Sequence, residues 1–211
     1  MRSLWILAAL LGALVNSTNA QEIYEIDVAR SNVHWLVYKA GAFARLGHNH
    51  VVSVGEMQGR IHYETELAAA RFEISIPVVS LIVDDSALRS GRGEEFASEP
   101  SASDIAGTKQ NMLSERVLNG EAFPEIRITG TGLTALAADA TLDITVELLG
   151  RSVALQVPTF VELGEDGLTA SGEFSLQHAE LGMEPFSVMM GALQVGEQLD
   201  FSYRVYATKI H

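Results

Sequence analysis

Apolar and polar residues alternate with a period of two along most of this chain, the pattern of strands that bury one face. Val33, Trp35 and Val37 share one such face, and Met57, Gly59, Ile61 and Tyr63 alternate with Gln58, Arg60, His62 and Glu64. The same rhythm returns in Phe72–Ile74–Ile76, in Leu142 to Leu148, in Val153–Leu155–Val157 and in Leu168 to Leu176. Leu199, Phe201, Tyr203, Val205 and Ala207 close the chain in the same phase. Ala29 to Asn32, Gly150-Arg151 and Gly164 to Gly167 read as turns between neighbouring strands. About eight evenly spaced strands predict an all-β, closed antiparallel barrel forming one domain over residues 21–211.

One segment breaks the alternation. Ser101 to Asn119 carries Ile105, Met112, Leu113 and Val117 at helical spacing. Ser103 is the expected N-cap, and Gly120 the expected left-handed cap. The barrel therefore has one helical excursion.

Met1-Arg2, the apolar run Leu4 to Val15 and small residues around Thr18-Asn19-Ala20 predict a cleavable signal peptide over residues 1–20. That run is too short for a stable bilayer span, so the expectation is export to the periplasm without stable membrane insertion. The chain has no cysteine, which excludes disulfides, thiol nucleophiles and thiolate metal sites. A core of roughly 190 residues is large enough to hold without them. The formal charge of −13 repels phosphate backbones, so nucleic acid is not an expected partner. No G-x-S-x-G elbow or phosphate loop is present, and no enzymatic activity is expected.

Four segments, in order, resemble the YceI-like family of periplasmic, lipocalin-like barrels. They are Tyr24 to Asp27 with Ser31-Asn32-Val33, Gly55 to Tyr63, Met112 to Ile126 through Phe123-Pro124, and Gly182 to Phe186 with Gly191 to Val195. The resemblance implies an elongated apolar cavity that takes an isoprenoid chain, such as a quinone or polyprenyl lipid, with its head group near one mouth. The partner would be that hydrophobic small molecule, and no other cofactor is required. A homodimer stays open.

By alternation phase, the residues that would line the cavity are Trp35, Val37, Phe72, Ile74 and Leu155. From the last two strands come Ala170, Gly172, Phe174, Phe201 and Tyr203. Small residues at Gly59, Ala170 and Gly172 fit either an unfilled interior or close approach of a neighbouring segment. His48 and His50, two residues apart in Gly47-His48-Asn49-His50, would point to one side of an extended chain. With His178 they are candidates for head-group contact, or alternatively for a metal or haem site. A bare H-x-H is equally met in hydrogen-bonded loops. Met183, Met189 and Met190 offer either flexible apolar lining or thioether ligands for Cu(I). His34 and His62 are expected to face solvent, and Asp84-Asp85 and Glu94-Glu95 to lie in a solvated loop.

Overall fold

The computed structural model describes residues 22–64, 70–131 and 140–210. The expected signal segment, Gln21 and His211 lie outside the described residues. In chain order the strands are β1 (Glu22–Ile26), β2 (Asn32–Ala40), β3 (His50–Ser53), β4 (Gln58–Tyr63), β5 (Arg71–Pro77) and β6 (Ile82–Val83). A helical turn α1 (Ser86–Arg89) and helix α2 (Ala102–Leu113) follow. Then come β7 (Glu125–Thr131), β8 (Ala140–Leu148), β9 (Arg151–Leu163), β10 (Gly167–Gln177), β11 (Ser187–Val188) and β12 (Leu193–Ile210).

All pairings are antiparallel, and the order β1-β4-β5-β7-β8-β9-β10-β12 returns to β1. That is a closed eight-stranded barrel, as the alternation predicts. Three columns are bent strands. β1 and β2 are separated by a single tight turn, Val28–Arg30, and pair with successive parts of β12. Ser31 holds this bend, donating to the Asp27 carbonyl at 2.7 Å and accepting from the Tyr206 amide at 2.9 Å. β3 and β4 form a second bent column and β5 and β6 a third, so β2, β3 and β6 extend the wall above the closed ring.

β8 and β9 meet in a two-residue turn in which Leu149 and Gly150 both have positive φ, 53° and 70°. This is the mirror-image geometry that suits the twist of a hairpin. The expected turn is thus shifted by one residue, and Arg151 already belongs to β9.

Helix α2 is shorter than its apolar spacing suggests. Ser101, not Ser103, is the N-cap, because Asp104 closes a reciprocal box with it. The Asp104 amide donates to Ser101 Oγ at 3.2 Å, and the Ser101 amide donates to Asp104 Oδ2 at 3.0 Å. Beyond Leu113 the chain folds back in turns. The left-handed residue is Asn119 (φ 42°) rather than Gly120, whose amide returns to the Leu113 carbonyl at 2.9 Å.

Gly59 and Gly172 serve close approach. A Cβ on Gly59 would lie 2.4 Å from the Glu73 carbonyl oxygen, and one on Gly172 would lie 2.2 Å from that of Pro158. The Gly172 site also adjoins the Tyr203 hydroxyl, which donates to the Pro158 carbonyl at 2.9 Å and lies 2.6 Å from Thr159 Oγ1. β9 and β10 pair from Leu168 and Leu163 as far as Ser171 and Phe160, so this side-chain link sits where their ladder ends. Gly107, inside α2, has nothing within 4 Å of its would-be Cβ.

The two glycines therefore predict opposite signs. Gly172→Ala should destabilise by about 1–3 kcal/mol through overpacking, whereas Gly107→Ala should stabilise by about 0.5–1 kcal/mol through helix propensity. Urea denaturation of both variants checks the pair, and equal shifts would refute this reading of Gly172.

Candidate ligand-binding site

The barrel interior is not filled. A cavity of about 660 Å³ runs along it, walled by the inward phases of nearly every column. Trp35, Val37, Phe72, Ile74, Leu155, Ala170, Phe174, Phe201 and Tyr203 all line this space, as their alternation predicts. Gly172 does not, because the Tyr203–Pro158 link occupies that place.

The two ends differ. At the deep end the lining residues Ile61, Val161, Leu168 and Val205 are buried, and beneath them Tyr24 and Ala207 are sealed from solvent. At the other end the wall includes exposed Leu46, the half-buried His48 and His50, and residues of α2. Among the described residues, then, the space is closed by packing at the deep end and opens beside α2.

Halfway along, aromatic rings form a continuous patch. Phe174 and Phe201 stack with centroids 5.1 Å apart at 8°. Trp35 lies 5.7 Å from Phe201, and Tyr203 meets Phe174 edge-on at 6.2 Å. The register explains this cluster, because Trp35↔Phe201 and Phe174↔Phe201 are directly opposed on β2, β12 and β10.

Polar groups gather at the mouth. Asp104, Gly107, Thr108 and Asn111 line it from α2 at the three- and four-residue spacing of one helix face. Opposite them stand His48 and His50, with ring centroids 6.3 Å apart. His48 Nε2 lies 4.0 Å from Asp104 Oδ2, and His48 Nδ1 lies 3.3 Å from Ser98 Oγ. His50 Nδ1 bonds Asp84 Oδ2 at 2.7 Å. The carboxylate can only accept, so Nδ1 carries hydrogen and Nε2 is turned to the mouth, 3.5 Å from Thr108 Oγ1.

Asp84 is the anchor of this arrangement, and its expected place in a solvated loop is corrected here, whereas Glu94 and Glu95 are exposed. Its side chain is 1% exposed and accepts from the Val51 amide at 2.9 Å and from Arg89 Nη1 at 2.7 Å. Burial works to raise the pKa of its carboxyl. The bonds from His50 and Val51 and the adjacent charges outweigh that effect and hold it below the ordinary carboxylate value. Arg89 is buried too and also donates to the Asn49 carbonyl at 2.7 Å and the Ser98 carbonyl at 2.6 Å. Asn49 accepts from the Lys39 amide at 2.9 Å and donates to the Glu95 carbonyl at 3.1 Å. Both histidines therefore ride on a segment fixed from beneath by a buried ion pair. Asp85 caps α1 through the Ala87 and Leu88 amides.

His178 lines the tunnel but is held elsewhere. It is buried, and its Nδ1 lies 2.9 Å from the Glu197 carbonyl, on the bulge between Val195 and Leu199. Among the described residues no group of three His, Cys, Asp or Glu could hold a metal ion. Met183 lines the tunnel, whereas Met189 and Met190 project outside it. His34 is also corrected. It is buried on the outer face of β2, between Asn32 Oδ1 at 2.6 Å and the Arg92 guanidinium. Its exposed appearance in the sequence follows from strand phase alone, which cannot show that residues 86–98 cover that face. His62 is only partly exposed, with a buried Nδ1. The α2 face, Leu46 and the Asp84–Arg89 pair were not legible as site residues. The sole local signal was an Asp five residues before an Arg.

The family model of the YceI-like domain matches residues 24–207. Burkholderia cenocepacia BcnA superposes with a TM-score of 0.62 at 10% identity, over 86% of this chain and 98% of that one. A polyisoprenoid binding domain from Saccharophagus degradans gives 0.58 at 10% identity, over 88% and 97%. A Campylobacter jejuni YceI protein gives 0.52 at 9% identity, over 76% and 85%. At these identities the likeness shows the fold. No curated protein matches the sequence.

Two outcomes are expected of the polar network. Asp84→Ala, which strands the buried Arg89 charge, should cost about 3–5 kcal/mol in urea denaturation. His34 gives a pH dependence. Burial first, then the Arg92 charge, lowers its pKa below the ordinary 6.5. The unfolded chain thus takes the proton more readily, so this stabilisation is complete above pH 6.5 and fades as pH falls through the lower folded value. The melting temperature should drop over that window, and His34→Gln should flatten the drop. An unchanged profile in the variant would count against this assignment.

Proposed function

The chain belongs to the YceI-like domain family, and from that premise we propose that it is a periplasmic binding protein carrying an isoprenoid or similar long amphiphile. The observation that carries this reading is the tunnel of about 660 Å³, lined mainly by apolar side chains, with His48, His50, Asp104, Thr108 and Asn111 at its mouth. The likeness to the polyisoprenoid binding domain of Saccharophagus degradans supports it.

The physics is sufficient without a reacting group. Each ~100 Å² of lipid tail withdrawn from water contributes about 2.5 kcal/mol before the cost of association is deducted. The stacked patch of Trp35, Phe174 and Phe201 offers polarisable faces to the double bonds of a prenyl chain. A quinone or polyprenyl head group would rest between His48, His50 and the α2 face. Oriented by Asp84, His50 offers Nε2 as an acceptor to a hydroxyl there. The histidine pair is read as a head-group contact rather than a metal site, because among the described residues no third His, Cys, Asp or Glu is placed to complete a metal site with it. The protein would hold its ligand rather than transform it, and residues 1–20 would direct it to the periplasm.

Ala170→Phe tests the tunnel, since its side chain would enter the space near the aromatic patch. Uptake of a fluorescent prenyl lipid should fall about tenfold or more, with folding cooperativity retained. Native mass spectrometry of the wild-type protein, purified from its own compartment without detergent, should show an organic mass carrying prenyl fragments. A protein that carries no such mass and takes up no prenyl lipid would overturn the proposal.

A further inference from the structure

Exposed apolar side chains collect around the tunnel mouth. Leu46 is 62% exposed, Phe43 is 38%, Met189 is 59%, and Met190 is fully exposed. The two segments that carry them touch. The Phe43 amide donates to the Ala192 carbonyl at 2.7 Å, and a Cβ on Gly41 would lie 2.6 Å from the same oxygen. Leu46 belongs both to this rim and to the tunnel wall, so the outer patch and the interior are continuous. Other exposed apolar residues, such as Phe160 and Val79, lie on other elements.

The backbone at the methionines is unusual. Met189 and Met190 both have positive φ, 53° and 57°, a region that side-chain-bearing residues other than Asn and Asp seldom enter. Asn or Gly would suit both positions better, yet methionine stands at each, and Met190 points into water. Strain held at a rim with no packing in return suggests a role outside the folded chain.

Charge separates this rim from the rest. The chain has 27 Asp and Glu and a net charge of −13. Residues 39–50 nevertheless contain Lys39 and Arg45 and no acidic residue, and residues 185–196 contain no charge at all. Two apolar segments without acidic residues, on a chain of net charge −13, fit the surface of a lipid bilayer, into which apolar side chains can sink. They fit a second copy of this chain less well, because the two acidic bodies would be drawn together.

We propose that the rim formed by Phe43, Leu46, Met189 and Met190 docks on a lipid bilayer, so that the tunnel opens directly onto the membrane. A sparingly soluble lipid then passes between bilayer and tunnel along Leu46 without crossing water. The transfer step rests on the lipid-binding reading above, whereas docking itself does not.

The test is flotation of the intact protein with ligand-free phosphatidylcholine vesicles, comparing wild type with the double variant Met189→Asn/Met190→Asn. Asparagine accepts the left-handed backbone, so the variant should melt at the same or a higher temperature. Its vesicle binding should fall about tenfold or more, from the loss of two inserted apolar side chains. Extraction of a fluorescent prenyl lipid from vesicles should slow by a similar factor, while binding of the same lipid supplied from dilute solution stays unchanged. Wild type that fails to float, or a variant that floats equally well, would overturn docking. A dimer in sedimentation velocity that the variant abolishes, without vesicle binding, would assign the rim to a second copy instead. Docking without any uptake of prenyl lipid would leave the membrane surface standing and remove the lipid reading of the tunnel.

Discussion

Closure of the sheet by β12 is the constraint on which everything else depends. Its 18 residues pair with β10 on one side and with both β2 and β1 on the other. Once the ring is closed, the ladders join into one circuit, and packing of the inward side chains against one another need not fill the whole interior. An open sheet of this length would need its inner face covered to be stable. A closed one can leave a channel along its axis, provided the wall is rigid and the ends are sealed differently. The deep end is sealed by packing, where Tyr24, Leu168 and Ala207 exclude solvent. The other end is walled by α2, whose polar side faces the opening.

The mouth is built by a different kind of force. Hydrophobic burial is non-directional and cannot aim an imidazole. The buried Asp84–Arg89 pair can, because each partner left alone would be a costly charge in a poor dielectric. Arg89 fixes the Asn49 and Ser98 carbonyls, while Asp84 fixes the Val51 amide and the His50 ring. The ion pair adds little net stability over an apolar substitute, but it makes one arrangement of the His48–His50 segment far better than its neighbours. Two cohesive principles thus divide the molecule, with apolar packing and ladder bonds at depth and directional bonds around the opening.

The division explains what the sequence could tell. Strand phase is a local property, so alternation alone identifies Trp35, Phe72, Leu155, Phe174 and Phe201 as inward and places the helical excursion correctly. Gly59 and Gly172 resisted because glycine in a strand signals either free space or a neighbour's approach. What decides is the neighbour each one meets, the Glu73 carbonyl at Gly59 and, at Gly172, the Pro158 carbonyl bonded by Tyr203, residues 45 apart in sequence. His34 and Asp84 resisted for a related reason. Both lie in stretches that look solvated, and both are covered by partners, Arg92 and Arg89, whose positions depend on how residues 86–98 fold over β2 and β3. The Ser103 cap failed more narrowly, since Asp104 can close a box only with a residue three positions before it.

A polar mouth around a hydrophobic tunnel raises a kinetic difficulty that the interior cannot resolve. The same burial that would hold a long apolar ligand in such a tunnel makes that ligand's free passage through water slow, because all of it must be hydrated on the way. Relief must come from outside the tunnel, at the place where its wall reaches the surface. Leu46 is that place, and the residues next to it depart from the rest of the chain in charge, exposure and backbone geometry together. Each departure alone has ordinary explanations. A left-handed methionine can be a tolerated defect, and single exposed apolar residues are common on any surface. Their coincidence at the opening beside α2 joins the static property of the fold, an unfilled closed ring, to the motion of ligand that such a ring would require.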